Sequence, residues 1–269
     1  MTIDIDPQAI DGLLPWTTLL TIAGASSVIA WMLRRASTFS LTPRMTYGIA
    51  LRVVLWSLLG GRLFHVIDRI GFYADVPFQA FYLWNGGQSL WGALIVGAGG
   101  ALWHAKRSGA DLRAFAQDLT LAGLAVVVAG RLGDFIAGER LGTGTSLPWA
   151  VSYANERSVS FGVGGAHPVA LYEALLAAVM LVVLVRFRHR LETKWPGSTI
   201  DIGFAGYAAG RFLIGFAKVN DTTWGFGFSQ WLALIVLAVI GLYAFRGSAW
   251  SRMLGARTKT KEHTPGDTR

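Results

Sequence analysis

Four arginines and three carboxylates lie inside stretches that are otherwise apolar: Arg52, Arg62, Arg131 and Arg211, with Asp134, Glu173 and Asp201. Ionisable groups in such stretches are costly and face a protein interior or a watery cavity. Arg131 is about the thirteenth residue of the fourth apolar stretch and Arg211 about the thirteenth of the sixth. Both stretches run the same way, so at a rise of ~1.5 Å per residue the two arginines share a depth. Arg62 lies nearer the outer end of the second stretch. Glu173 falls in the same half of an oppositely directed stretch, with His167 and Tyr172 beside it. Arg131, Asp134 and Gly138 follow i, i+3, i+7 spacing and share a helix face, as do Tyr207 and Arg211 at i, i+4. Gly206 and Gly210, four apart, permit close helix packing. Guanidinium forks match phosphate geometry, so this layer reads as a cavity for an anionic lipid head group. The plainer reading, arginines pairing with Asp134 and Glu173 to hold a bundle together, suits one pair better than three arginines at one depth.

Other chemistries find little support. The chain has no cysteine, hence no disulfide, thiolate ligand or thiol nucleophile of its own. No two histidines have a metal-ligand spacing, and His65 and His104 read as interfacial residues near span ends. Ser89, Ser146 and Ser160 lack a G-x-S-x-G context. Lys218, at the outer end of the sixth stretch, is poorly placed for a Schiff base. No metal and no cofactor are expected.

These groups need a membrane to position them. Of 269 residues, 53% are hydrophobic and 15% charged, against about 25% charged in soluble domains; the mean hydropathy is +0.45. The net charge of +8 does not form a nucleic-acid patch, because the basic residues recur in short clusters between apolar runs. Seven runs approach the ~20 residues that span hydrocarbon: roughly 14–33, 46–66, 88–105, 119–138, 167–186, 199–218 and 228–246. Alternate loops hold sixteen Lys and Arg on one side and four (Arg69, Arg140, Arg157 and Lys218) on the other. The positive-inside rule then puts the N-terminus outside and the C-terminus in the cytoplasm. The expectation is an all-α integral membrane protein: a seven-helix domain over 1–247 and a basic cytoplasmic tail over 248–269. The acidic start, Met1 to Asp6, lacks the positive n-region of a cleaved signal peptide. Loop 67–87 carries interfacial aromatics, and loop 139–166, rich in Gly, Ser and Thr, is suited to covering a site from outside.

Five segments together resemble the prolipoprotein diacylglyceryl transferases of bacteria. Gly130-Arg-Leu-Gly-Asp-Phe-Ile-Ala-Gly-Glu139 resembles that family's G-R-x-G-N-F-x-N-G-E, and Gly60-Gly-Arg62 its G-G-R. Trp84-Asn-Gly-Gly-Gln-Ser-Leu-Trp-Gly-Ala-Leu94 resembles W-x-G-G-M/L-S-x-H-G-G-L. His167-Pro-Val-Ala-Leu-Tyr-Glu173 resembles H-P-S/T-Q-L-Y-E, and Arg211-Phe-Leu-Ile-Gly-Phe-Ala-Lys-Val-Asn-Asp221 resembles R-x-x-V/I-E-x-x-R-x-P-D. Order, spacing and topology agree from about residue 14 to 246. The resemblance implies a multi-pass protein of the bacterial plasma membrane. It would move the diacylglyceryl group of phosphatidylglycerol onto the lipobox cysteine thiol of a prolipoprotein that enters by its signal peptide. Arg131 and Arg211 would then hold and polarise the departing phosphate, with Arg62 assisting and Tyr172 and Glu173 orienting them. Asn85, Gly86, Gly87, Asp134, Gly138, Glu139, His167 and Tyr207 complete the implied substrate site.

The chain also departs from the pattern. The family's histidine after W-x-G-G-x-S-x is Trp91, which cannot act as a base. Asp134 and Ala137 replace asparagines, Val169 and Ala170 replace serine and glutamine, Gly215 replaces a glutamate and Lys218 an arginine. A carboxylate lost at 215 and one gained at 134 make Asp134 the expected partner of Arg211. The losses leave two other readings open: a paralogue with another acceptor or donor lipid, and a non-catalytic phospholipid-binding membrane protein.

Overall fold

The computed structural model describes residues 1–10, 14–82, 87–195, 197–219, 222–223 and 225–243. The expected basic tail lies outside the described residues. Each apolar stretch falls on a helix: α1 (Trp16–Arg34), α2 (Pro43–Asp68), α4 (Leu90–Arg107), α5 (Leu112–Ile136), α6 (Val169–Lys194), α7 (Ser198–Ile214) and α8 (Phe228–Tyr243), with the short α3 (Ile70–Asp75) after α2. Five of them, α1, α2, α5, α6 and α7, are long and apolar enough to cross a membrane. Large apolar side chains such as Leu55, Leu59, Val182 and Val239 cover their outward faces, as befits a bundle whose solvent is lipid.

Helix ends are marked by polar capping. Thr42 accepts from Met45 N at 3.3 Å ahead of Pro43 on α2. Asp111 accepts from Arg113 N and Ala114 N at 3.0 and 3.1 Å on α5. At the start of α7 the caps come from another helix: Glu192 on α6 accepts from Gly197 N at 2.8 Å and Thr199 N at 2.9 Å. Near the same end of the bundle, Asp118, fully buried, holds Arg35 of the α1 end and Arg188 of α6.

Close packing relies on glycine. A Cβ on Gly60 of α2 would lie 2.4 Å from Gly92 O of α4, and one on Gly92 2.1 Å from Gly60 O. Across the α6–α7 pair, Gly206 receives Met180 and Gly210 receives Leu176, where a Cβ would approach both to 2.4 Å. Two short pairings tie the opposite end: β1 (Thr2–Ile3) runs parallel to β4 (Ser152–Tyr153), and β2 (Gln8–Ile10) pairs with β3 (Leu14–Pro15). The segment 139–166 is fastened over the end of α5, where Ser158 Oγ donates to Ala137 O at 3.3 Å and Tyr153 OH to Phe135 O. This is the loop end of the bundle.

Candidate active site

At the loop end, α5, α6 and α7 each bring one charged residue to a single buried point. The Glu173 carboxylate, with no exposed surface, lies between two guanidiniums: Arg131 Nε is 2.6 Å from Oε2, and Arg211 Nη1 pairs with Oε1. Lys218, just past α7, approaches Oε1 at 3.6 Å. Arg131 also pairs through Nη1 with Asp134, whose Oδ2 receives Arg140 Nε at 2.8 Å. Asp134 thus joins Arg131 to Arg140, and Arg211 has Glu173 as its partner. The expected Asp134–Arg211 pair does not form, because one turn of α5 places Asp134 over Arg131 and the α6 carboxylate reaches Arg211 first. Three guanidiniums meet two carboxylates here, beside Lys218, whose amine pKa is brought down to about 6 by burial and the neighbouring arginines. A third acid, Glu139, accepts from Thr17 Oγ1 at 3.1 Å; burial, reinforced by the Asp134 charge, pushes its carboxyl above the ordinary range. The Arg131 charge, with burial, lowers Arg140 from the ordinary guanidinium range. A crowd of cations short of counter-charge is suited to an anion.

A cavity of about 530 Å³ runs from this cluster between α1, α2, α4, α5 and α7. Its walls are almost wholly apolar, and Arg131, Asp134, Arg140, Trp91 and Tyr207 line its loop end. Trp91 and Tyr207, 3% and 5% exposed, meet edge to face with ring centroids 6.1 Å apart. The Trp91 Nε1, the Tyr207 hydroxyl and Arg211 Nε have no hydrogen-bond partner among the described residues. Buried donors without partners are uncommon in folded proteins, and three in one layer fit an acceptor-rich ligand.

The remaining sequence-predicted residues fall around this centre or apart from it. Arg62, buried, donates to the carbonyls of Gln79, Ala80 and Gly87 and lies over the Tyr73 ring, tying down the loop before α4. His167 Nδ1 is 3.1 Å from Tyr172 OH, which also accepts from Trp149 Nε1 at 2.7 Å. His167 and Tyr172 lie close to Glu173 in sequence, and Tyr172 and Trp149 line a second, outward pocket. Gly138 follows the end of α5 at Ile136, so the i, i+7 relation to Arg131 does not extend to it. Its φ of +73° suits a helix terminus, and a Cβ would meet Ser158 Oγ at 2.0 Å. Gly87 has φ +74° and abuts His65. Asn85 and Gly86 lie outside the described residues.

Sequence reasoning passed over Arg140 and the indole N–H of Trp91. Arg140 counted only as a loop charge; its backbone, at φ +59°, is in the left-handed region that non-glycine residues seldom adopt. Gly215, where the family pattern has a glutamate, faces Gln230 of α8, and a Cβ there would come within 2.4 Å of Gln230 Cγ. Gln230 in turn bonds Gly227 N and Phe212 O. Packing of α8 thus occupies the space a longer side chain at 215 would need. Among the described residues there is no group of His, Asp and Glu arranged to hold a metal ion.

An apolar helical bundle with a buried arginine–carboxylate centre beside an apolar cavity defines a multi-pass membrane protein. The family profile of prolipoprotein diacylglyceryl transferase matches residues 10–246, and the chain belongs to that family. Among its relatives is the phosphatidylglycerol–prolipoprotein diacylglyceryl transferase 1 of Streptomyces coelicolor, 35% identical over 209 residues, covering 75% of this chain and 60% of the relative. The enzyme of that name from Bordetella parapertussis is 34% identical over 251 residues, 88% of this chain and 92% of its own length. The one from Sinorhizobium medicae is 31% identical over 203 residues, 71% of each.

Proposed function

We propose that this protein transfers the diacylglyceryl group of phosphatidylglycerol to the cysteine thiol of a secreted prolipoprotein, whose signal peptide brings the lipobox to the site. The observation that carries the reading is the buried Arg131–Glu173–Arg211 bridge beside an apolar cavity of about 530 Å³. The cavity takes acyl chain, and the bridge takes phosphate. In the transfer, sulfur forms a bond to the glyceryl carbon, the bond from that carbon to the phosphate oxygen breaks, and the departing glycerol phosphate carries off the electron pair and takes up the thiol proton. Arg131 and Arg211 meet that developing charge where the dielectric is low, which strengthens their effect. Glu173 fixes both guanidiniums, and Asp134 holds Arg131 from the other side with Arg140. Trp91 Nε1 and Tyr207 OH supply further donors to the head group, and His167, Tyr172 and Glu139 shape the rim.

In this reading α4 and α8 complete seven crossings, the loop end faces outside and the 248–269 tail anchors on the anionic cytoplasmic face of the bacterial plasma membrane. Trp91, unable to take a thiol proton, favours one alternative: the same donor pocket serving a different acceptor. Purified protein, phosphatidylglycerol vesicles and a lipobox peptide, read by mass spectrometry, test the proposal. A diacylglyceryl thioether with equimolar glycerol phosphate supports it. Folded protein that binds phosphatidylglycerol and forms no thioether overturns it.

A further inference from the structure

Far from the site just described, α2 and α4 lie antiparallel with a basic and aromatic cluster on their outward surface. Trp56 Nε1 donates to His104 Nε2 at 3.3 Å and fixes the relative level of the two helices. Arg52 lies one turn before Trp56 on α2, and Arg107 lies three residues beyond His104 on α4. Because the helices run oppositely, both steps lead the same way, by ~6 Å and ~4.5 Å, so the two guanidiniums reach one level at the end of α4. The charges of both act on His104.

Neither arginine is paired with an acid among the described residues: Arg52 Nη1 donates only to its own Gly48 carbonyl at 3.2 Å, and Arg107 lies 4.3 Å over the Trp103 ring. Trp103, Trp56, Leu51 and Leu55 are all exposed around them, from 36% to 60%. Two uncompensated guanidiniums on an aromatic floor, flanked by apolar side chains that face lipid, fit a phosphate that arrives on acyl chains. The indole groups suit the head-group level of a bilayer, and each basic residue adds to the pull of an anionic lipid. The surface has no enclosing wall that would retain a free ion.

We propose that this α2–α4 surface is a second lipid site, which binds the phosphate of an anionic phospholipid in the leaflet at this end of the bundle. The site is separate from the cavity at the loop end and does not depend on transferase activity. Native mass spectrometry of the full-length protein in detergent, titrated with dioleoyl-phosphatidylglycerol, tests it. The double variant Arg52→Gln/Arg107→Gln is expected to weaken one binding step about thirtyfold and leave the step removed by Arg131→Ala untouched. The variant Arg52→Lys/Arg107→Lys, which keeps the charges, restores most of the lost binding and separates lipid recognition from misfolding. Unchanged phosphatidylglycerol binding in the Gln double variant overturns the proposal. So does equal binding of dioleoyl-phosphatidylcholine, or displacement of the lipid by millimolar inorganic phosphate.

Discussion

Replacing Glu173 by Gln removes the single charge that holds the centre of the site together. The carboxylate has no exposed surface and touches Arg131 and Arg211, themselves 6% and 4% exposed. Breaking a buried ion pair by removing one partner costs about 3–5 kcal/mol, because the surviving charge stays buried. At ~2–4 °C per kcal/mol for a chain of this size, thermal unfolding in detergent should fall by ~6–20 °C. The two arginines are not affected equally. Arg131 keeps Asp134, whereas Arg211 has Glu173 as its acid partner among the described residues. The loss should therefore be relieved by Arg211→Met. In a double-mutant cycle, Glu173→Gln/Arg211→Met is expected to be less destabilised than the sum of the single variants, by a coupling at the upper end of the ~0.5–3 kcal/mol range for contacting residues. Additive penalties, or a Glu173→Gln protein as stable as the parent, would refute the bridge.

Trp91→Phe keeps the ring against Tyr207 and deletes the unpartnered N–H. A hydrogen bond to a charged acceptor is worth about 1.5–3 kcal/mol, so transfer should slow by ~10–150-fold; an unchanged rate would reduce Trp91 to packing. Glu192→Ala uncaps α7 and should lower stability by about 1 kcal/mol, measured by thermal unfolding, with no shift if water replaces the cap fully. Glu139 gives a pH signature. Its folded carboxyl titrates above the ordinary value of 4.5, so the unfolded chain loses the proton first and folding takes one up between the two values. Stability of the parent should then fall relative to Glu139→Gln as pH rises from about 4.5 through the raised value; parallel pH profiles would contradict the raised carboxyl.

The helices were legible because a membrane span advertises itself by length and apolarity. Their extensions at the end away from the loops were not. Helix α5 begins at Leu112 rather than near 119, and α6 continues to Lys194 rather than 186. Those turns are polar in sequence, yet Asp118 pairs with Arg188 and Glu192 caps the start of α7. Depth counting along oppositely directed helices brought Arg131, Arg211 and Glu173 into one layer, since helical rise is nearly invariant. Which acid meets which arginine was not readable, because that depends on helix rotation. Arg62 illustrates the same limit: its depth was clear, but its engagement with the Gln79, Ala80 and Gly87 carbonyls follows from a loop conformation no periodicity encodes. Arg140 escaped notice because it follows the end of α5 and enters the cavity only through a left-handed backbone turn.

The most direct test of the proposed chemistry compares Arg131→Ala and Arg211→Ala with the parent in the vesicle and lipobox-peptide assay, on protein shown to be folded by its elution profile and helical spectrum. Loss of the thioether product in both variants, with phosphatidylglycerol retained at the α2–α4 surface, is the expected result. Transfer near the parent rate in either variant would contradict the assignment of the departing phosphate to the Arg131–Glu173–Arg211 bridge.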